Sequence, residues 1–201
     1  MKYFYLLLLD INIILLLLDI TPSIFIKEIE SNKIFTIKID NFKEKFILAD
    51  DNEYYLNHNL EGKYDIKGSL FADYRTKLSN KIILIYGHNS QTLNVPFKFL
   101  ENYYNEKFYH KHQIIEIYNN DVHKIYQIYS VFIATNDFFY MNINLDYQLY
   151  LAKTKAYSWY TTDIDVTTND NIILLQTCSF HENYSNYLNK YLIIVGKEIY
   201  I

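Results

Sequence analysis

Asn171-Ile-Ile-Leu-Leu-Gln-Thr-Cys178-Ser-Phe180 is an apolar run that ends on the single cysteine of the 201-residue chain. A short continuous apolar run of this kind predicts a strand buried on both faces. A second run, Lys190-Tyr-Leu-Ile-Ile-Val-Gly-Lys197, follows after residues 179–189. If the two runs pair antiparallel, the end of one lies beside the start of the other. Cys178 and Lys190 then share one edge of a sheet. A cationic neighbour favours the thiolate, the form of cysteine that attacks carbonyls. With no such chemistry around it, a lone cysteine reads as a small core hydrophobe.

The further chemistry is a histidine. Lys81-Ile-Ile-Leu-Ile-Tyr-Gly-His88-Asn-Ser90 is a third apolar run, broken at Gly87, with His88 immediately past its end. A cysteine and a histidine at strand ends are the minimum set for catalysis by a thiolate–imidazolium pair. His88 precedes Cys178, the reverse of the papain order, which disfavours that class. Asn89 reads as a turn residue, and His181 as a solvated loop residue.

The rest of the chain reads as β structure with a few helices. Ile34–Ile39 alternates apolar and polar residues, as a half-buried strand does. Asp51 can cap a short helix through Tyr55. Gly68–Phe71 and Ile82–Tyr86 read as strands, and Pro96 opens a helix to about Tyr104. Gln113–Tyr118 and His123–Ile133 flank the turn signal Asn119-Asn120-Asp121, which predicts a hairpin. Leu145–Tyr157 reads as a helix, and Ile172–Thr177 and Tyr191–Ile199 complete the sheet. The fold class is mainly β with helical insertions, a closed barrel.

These segments resemble the class B sortases, Gram-positive cysteine transpeptidases that attach surface proteins to the cell wall. The resemblance rests on Tyr86-Gly-His-Asn89, on Leu175-Gln-Thr-Cys178 and on the basic residue opening the final strand. It extends upstream to Asp51-Asn-Glu-Tyr-Tyr-Leu56, Gly62-Lys-Tyr64 and Gly68-Ser-Leu-Phe-Ala-Asp-Tyr-Arg75. It covers roughly residues 34–201, and Asn144 to Tyr157 fits the family's long helix before the cysteine strand.

The resemblance implies His88, Cys178 and Lys190 as catalytic residues. Cys178 attacks a Thr–x carbonyl in a sorting signal of the Asn-Pro-x-Thr type and forms a thioacyl enzyme. His88 exchanges protons with the leaving and incoming amines, and Lys190 stabilises the developing oxyanion or holds the peptide backbone. The acceptor is a peptidoglycan precursor or pilin amine. Asn52, Leu56, Gln176 and Thr177 fall in the blocks that bind substrate. The family carries arginine where this chain has Lys190, and lysine is a point charge without arginine's planar fork. Arg75 is the chain's only arginine, in a block that reads as structural. The departure at Lys190 leaves a second reading open: a degenerate homologue that binds sorting peptides or a partner without efficient turnover. A third is a general extracellular cysteine peptidase.

Composition bounds these readings. At 24.2 kDa with 50% hydrophobic residues, one sizeable core is expected. A net charge of −4 gives no basis for nucleic-acid binding, and no phosphate-loop or zinc spacing is present. No metal or cofactor is expected. Residues 3–18 are apolar apart from Asp10 and Asn12. As a helix they span about 24 Å, against a hydrocarbon core of about 30 Å. Asp10 costs about 2.5–3.5 kcal/mol on the insertion scale, and the Leu, Ile and Phe residues return about 4–7 kcal/mol. Residues 1–20 are therefore expected to be a single-pass membrane anchor, with 21–201 an extracellular catalytic domain.

Overall fold

The structure, a computed structural model, describes residues 33–200. The expected anchor and the first part of the expected 21–201 domain lie outside them. Among the described residues no helix is long and apolar enough to cross a membrane.

Eight strands form the sheet: β1 (Ile34–Ile39), β2 (Phe42–Leu48), β3 (Leu70–Ala72), β4 (Ile82–Tyr86), β5 (Ile114–Tyr118), β6 (His123–Ala134), β7 (Ile172–Cys178) and β8 (Tyr191–Ile199). They close into a barrel in the order β1-β2-β3-β4-β7-β8-β6-β5. The antiparallel β1–β5 pair, with Thr36 opposite Tyr118, completes the ring. Closure gives each of these strands a neighbour on both sides.

The burial pattern explains the two kinds of strand in the sequence. β1 alternates, with Phe35, Ile37 and Ile39 buried and the residues between them partly exposed. Every residue of β4 is buried, as are the first four of β7. Ile83, Ile85, Ile173, Leu175 and Ile194 point into the barrel with Phe46, Phe97 and Ile128. The insertion between β6 and β7 covers part of the outer face. It carries a 3-10 turn (Phe139–Met141) and the helix α2 (Tyr147–Tyr157), and follows the shorter α1 (Glu106–Lys111) in the chain. The Phe139 and Tyr157 rings lie 6.1 and 5.7 Å from the ring of Phe132 on β6. Asp146 caps α2 by accepting from the Leu149 N–H at 2.9 Å.

Three local differences from the sequence reading have physical causes. β2 was not expected, because Lys43-Glu44-Lys45 interrupts the apolar alternation; all three are exposed. Pro96–Tyr104 is a 3-10 helix. α1 is a single capped turn and a half, with Asn105 accepting from Phe108 N–H, too short for a helical period to register. The hairpin turn is as expected: Asn119 Oδ1 accepts from the Asp121 and Val122 N–H groups, both at 2.9 Å.

One pairing positions the site. β4 and β7 are parallel neighbours, with Tyr86 beside Gln176. Parallel strands end at the same rim of a barrel, so residues just past β4 emerge next to the end of β7. β8 runs antiparallel to β7, with Cys178 opposite Tyr191, and so begins at that rim.

Candidate active site

Cys178 is the last residue of β7, and its side chain is exposed. His88 follows β4 by two residues and is half-buried. Gly87, between them in the β4 turn, has no room for a side chain. A Cβ there would meet the Phe97 ring at 2.6 Å and would also overlap Leu70. The glycine therefore lets the turn pass close over the core and delivers His88 to the rim. The imidazole Nε2 lies 2.6 Å from the Leu56 carbonyl oxygen. A carbonyl only accepts, so Nε2 carries the proton. No hydrogen bond joins His88 to Cys178 among the described residues.

The two segments are instead laced together through their backbones. The Gly87 N–H donates to the Gln176 carbonyl at 3.1 Å. The Thr177 hydroxyl donates to the Gly87 carbonyl at 2.8 Å. The Asn89 amide donates to the Cys178 carbonyl at 2.9 Å and to Glu101 Oε1 at 2.8 Å. Asn89 is thus more than a turn residue, because it holds the backbone of Cys178. Its amide directly after a histidine was the available signal, but the partner lies on another strand.

The electrostatics of the thiol oppose each other. Desolvation by surrounding protein pushes the Cys178 pKa up, and the positive charge of Lys190 pulls it down; the net shift is upward. Although the side chain meets solvent, enough protein surrounds it to penalise the charged form. Lys190 is brought to the Cys178 edge as the strand pairing requires. Its ammonium, however, donates to the Tyr187 carbonyl at 2.9 Å. The Ser179 N–H, directly after Cys178, donates to the Lys190 carbonyl at 2.9 Å.

The residues expected to bind substrate divide into two groups. Leu56 is 41% exposed and lies beside His88 through its carbonyl. Gln176 is half-buried, and its Oε1 is buried without a hydrogen-bond partner. Thr177 is buried and bonded to Gly87, so it braces the turn. Asn52 donates to Asp73 Oδ2 and accepts from the Tyr74 N–H, both at 3.1 Å. It anchors the segment that carries Leu56.

Arg75 is engaged at the same carboxylate. Its Nε and Nη2 donate to Asp73 at 2.8 and 2.6 Å, and Tyr86 Oη donates to Asp73 at 2.8 Å. Burial alone would raise the fully buried Asp73 carboxyl, but the Arg75 guanidinium holds it below the usual carboxylate range. Arg75 is therefore a structural residue, as its sequence block implies.

His181 is packed rather than solvated. Its ring meets Tyr104 at 4.8 Å, Tyr184 at 5.6 Å and Trp159 at 5.8 Å. This aromatic group supports the loop after the cysteine, where Tyr104 Oη and Ser179 Oγ lie 2.9 Å apart.

Comparison with known proteins agrees with this geometry. The Sortase domain family model matches residues 37–198. Sortase B of Staphylococcus aureus is 35% identical over 154 residues, covering 74% of this chain and 62% of that protein. Sortase B of Listeria monocytogenes is 33% identical over 140 residues, 67% of this chain and 56% of that protein. The chain thus spans less than two thirds of the length of these curated relatives. A solved Staphylococcus aureus sortase B–substrate complex superposes with a TM-score of 0.73 at 31% identity, covering 87% of this chain and 83% of that one. The barrel, the rim it builds and these matches together establish that the chain belongs to the sortase family, with sortase B proteins among its relatives.

Proposed function

We propose that the chain is a cysteine transpeptidase of the sortase B type. The observation that carries this reading is the parallel β4–β7 pair, which delivers His88 and Cys178 to one rim. The Cys178 thiolate attacks the carbonyl carbon of a Thr–x bond in an extended sorting peptide, and the carbonyl π pair moves to oxygen. His88 protonates the departing amine, and the tetrahedral adduct collapses to a thioacyl enzyme. An amine then attacks the thioester, His88 removes its proton, and Cys178 leaves as thiolate. The substrate proposed from the family resemblance is an Asn-Pro-x-Thr-type sorting signal. The acceptor is a peptidoglycan precursor or pilin amine. Leu56 and Gln176 line the peptide's path, and Asn52 and Thr177 brace it. Lys190 acts through its charge, favouring the Cys178 thiolate. Residues 1–20 anchor the chain in the cell membrane, with the catalytic domain outside.

A second reading is a weak homologue that binds sorting peptides with little turnover. The observation favouring it is the Lys190 ammonium, which is bonded to Tyr187. Intact-mass analysis after incubation with an Asn-Pro-x-Thr peptide and an amine separates the two. A thioacyl adduct that resolves to the ligated product, and is lost in Cys178→Ala, supports the transpeptidase. Peptide binding without an adduct supports the weak homologue.

A further inference from the structure

The second half of the proposed reaction needs an acceptor, and peptide amines travel in neutral water mostly as ammonium ions. A carboxylate with no cation of its own can hold such an ion. Glu101 is a group of this kind. It lies on the 3-10 helix Pro96–Tyr104, where residues three apart stand on one face. Lys98 is therefore placed to pair with it, but the Lys98 ammonium donates to the Gln91 carbonyl at 3.3 Å. Glu101 Oε1 accepts from the Asn89 amide at 2.8 Å. Its other oxygen makes no hydrogen bond or ion pair among the described residues and is open to solvent.

Two contacts place this carboxylate beside Cys178. The buried Asn89 nitrogen that donates to Glu101 also donates to the Cys178 carbonyl at 2.9 Å. A single nitrogen atom thus separates Glu101 from the backbone of Cys178. One helical turn on, Tyr104 Oη lies 2.9 Å from Oγ of Ser179, the residue after Cys178. The 3-10 helix contributes Glu101 and Tyr104 to an open cleft of about 500 Å³, and the β7–β8 connection contributes His181 and Glu182. The lining sets two carboxylates against the one ammonium of Lys98. A larger cleft, about 850 Å³, shares Lys98, Glu101 and Tyr104, so the groove continues past the carboxylate.

We propose that this cleft is the acceptor subsite and takes a peptide-borne ammonium, with Glu101 as its counter-charge. The ammonium docks on the open carboxylate oxygen, and the peptide behind it follows the groove. On leaving the carboxylate it gives one proton to water. The neutral nitrogen then bonds to the thioester carbon, the carbon–sulfur bond breaks, Cys178 leaves as thiolate and His88 takes the second proton. Glu101 therefore acts in capture of the acceptor rather than in the bond changes. The inference rests on the transpeptidase reading.

The test follows how two nucleophiles resolve the thioacyl enzyme that the full-length protein forms with an Asn-Pro-x-Thr peptide. Triglycine carries an ammonium at neutral pH, whereas hydroxylamine is uncharged there. In Glu101→Gln the amide oxygen can still accept from Asn89, but the negative charge is gone. The expected result is a KM for triglycine raised about 5- to 10-fold, between the worth of an exposed ion pair and that of a hydrogen bond to a charged group. The KM for hydroxylamine is expected to hold. Equal changes toward both nucleophiles mean that Glu101 acts through Asn89, and they overturn the inference alone. So does an unchanged KM for triglycine. If the variant does not fold, the wild type decides by salt. Its KM for triglycine must climb with ionic strength while that for hydroxylamine stays level, and a level triglycine KM overturns the inference. A thioacyl enzyme that only water resolves, or no thioacyl enzyme at all, overturns the transpeptidase reading and the inference with it.

Discussion

Asn89 donates to the carbonyl oxygen of Cys178 at 2.9 Å, so the residue following the proposed acid–base holds the backbone of the proposed nucleophile. The same amide nitrogen also donates to Glu101. Its orientation is therefore set, because the reversed amide would press its oxygen against two acceptors. Two strands distant in sequence are thereby kept in one relation at the rim.

Asn89→Ala removes both bonds and leaves two acceptors short of a donor. The expected loss is about 1–3 kcal/mol of stability, together with roughly a 10- to 100-fold fall in kcat from misplacement of the thiol. Asn89→Asp is expected to be worse, since it faces Glu101 with a second carboxylate. Thermal melts and thioacylation rates measure both effects. Wild-type rates in Asn89→Ala would show that the tie is dispensable.

Gly87→Ala forces a methyl group into the Phe97 ring and Leu70. Overpacking of this kind costs about 1–3 kcal/mol. Relief by lifting the turn would move His88 off the Leu56 carbonyl. A lowered melting temperature with reduced activity is expected, and an unchanged melt would count against the close approach.

The Cys178–Lys190 pair makes a prediction about pH. Desolvation raises the thiol and Lys190 offsets part of the rise. In Lys190→Ala the thiolate forms at higher pH, so the profile of iodoacetamide alkylation moves to the alkaline side. Lys190→Glu moves it further. A profile that does not move would show that the Lys190 charge is screened from the sulfur.

Asp73 and Arg75 predict an acid sensitivity. The Asp73 carboxyl titrates lower in the folded chain than in the unfolded one. Its contribution is complete above the unfolded value, near 3.9, and is lost as pH falls toward the folded value. Arg75→Ala leaves the fully buried carboxylate without its cation, at an expected cost of about 3 kcal/mol at neutral pH. Asp73→Asn should flatten the acid limb of melting temperature against pH. An unaltered acid limb would place the acid sensitivity elsewhere.

The core strands were legible in the residues, and so was the placing of His88 and Cys178 at strand ends. The runs 82–86, 172–178 and 191–199 are strands because continuous apolar stretches of that length bury both faces. The Asn119-Asn120-Asp121 turn declares the β5–β6 hairpin locally. The resemblance of the Gly-His and Thr-Cys blocks to sortases pointed to chemistry at their ends, and the fold brings His88 and Cys178 to one rim. β2 was not legible, because its charged stretch faces solvent and its pairing with β3 is invisible until the barrel closes.

The sequence by itself determined seven of the eight strand segments and that Cys178 and His88 stand at strand ends, since apolar runs and glycine breaks act over a few residues. Only the tertiary structure decided what surrounds the thiol. A strand's side chains alternate, so a single step of register chooses between Tyr191 and Lys190 as the residue opposite Cys178. The bond from Asn89 and the turn of the Lys190 ammonium toward Tyr187 depend on how separate segments pack together. Such contacts are set by register and closure of the barrel, which no local pattern of residues encodes.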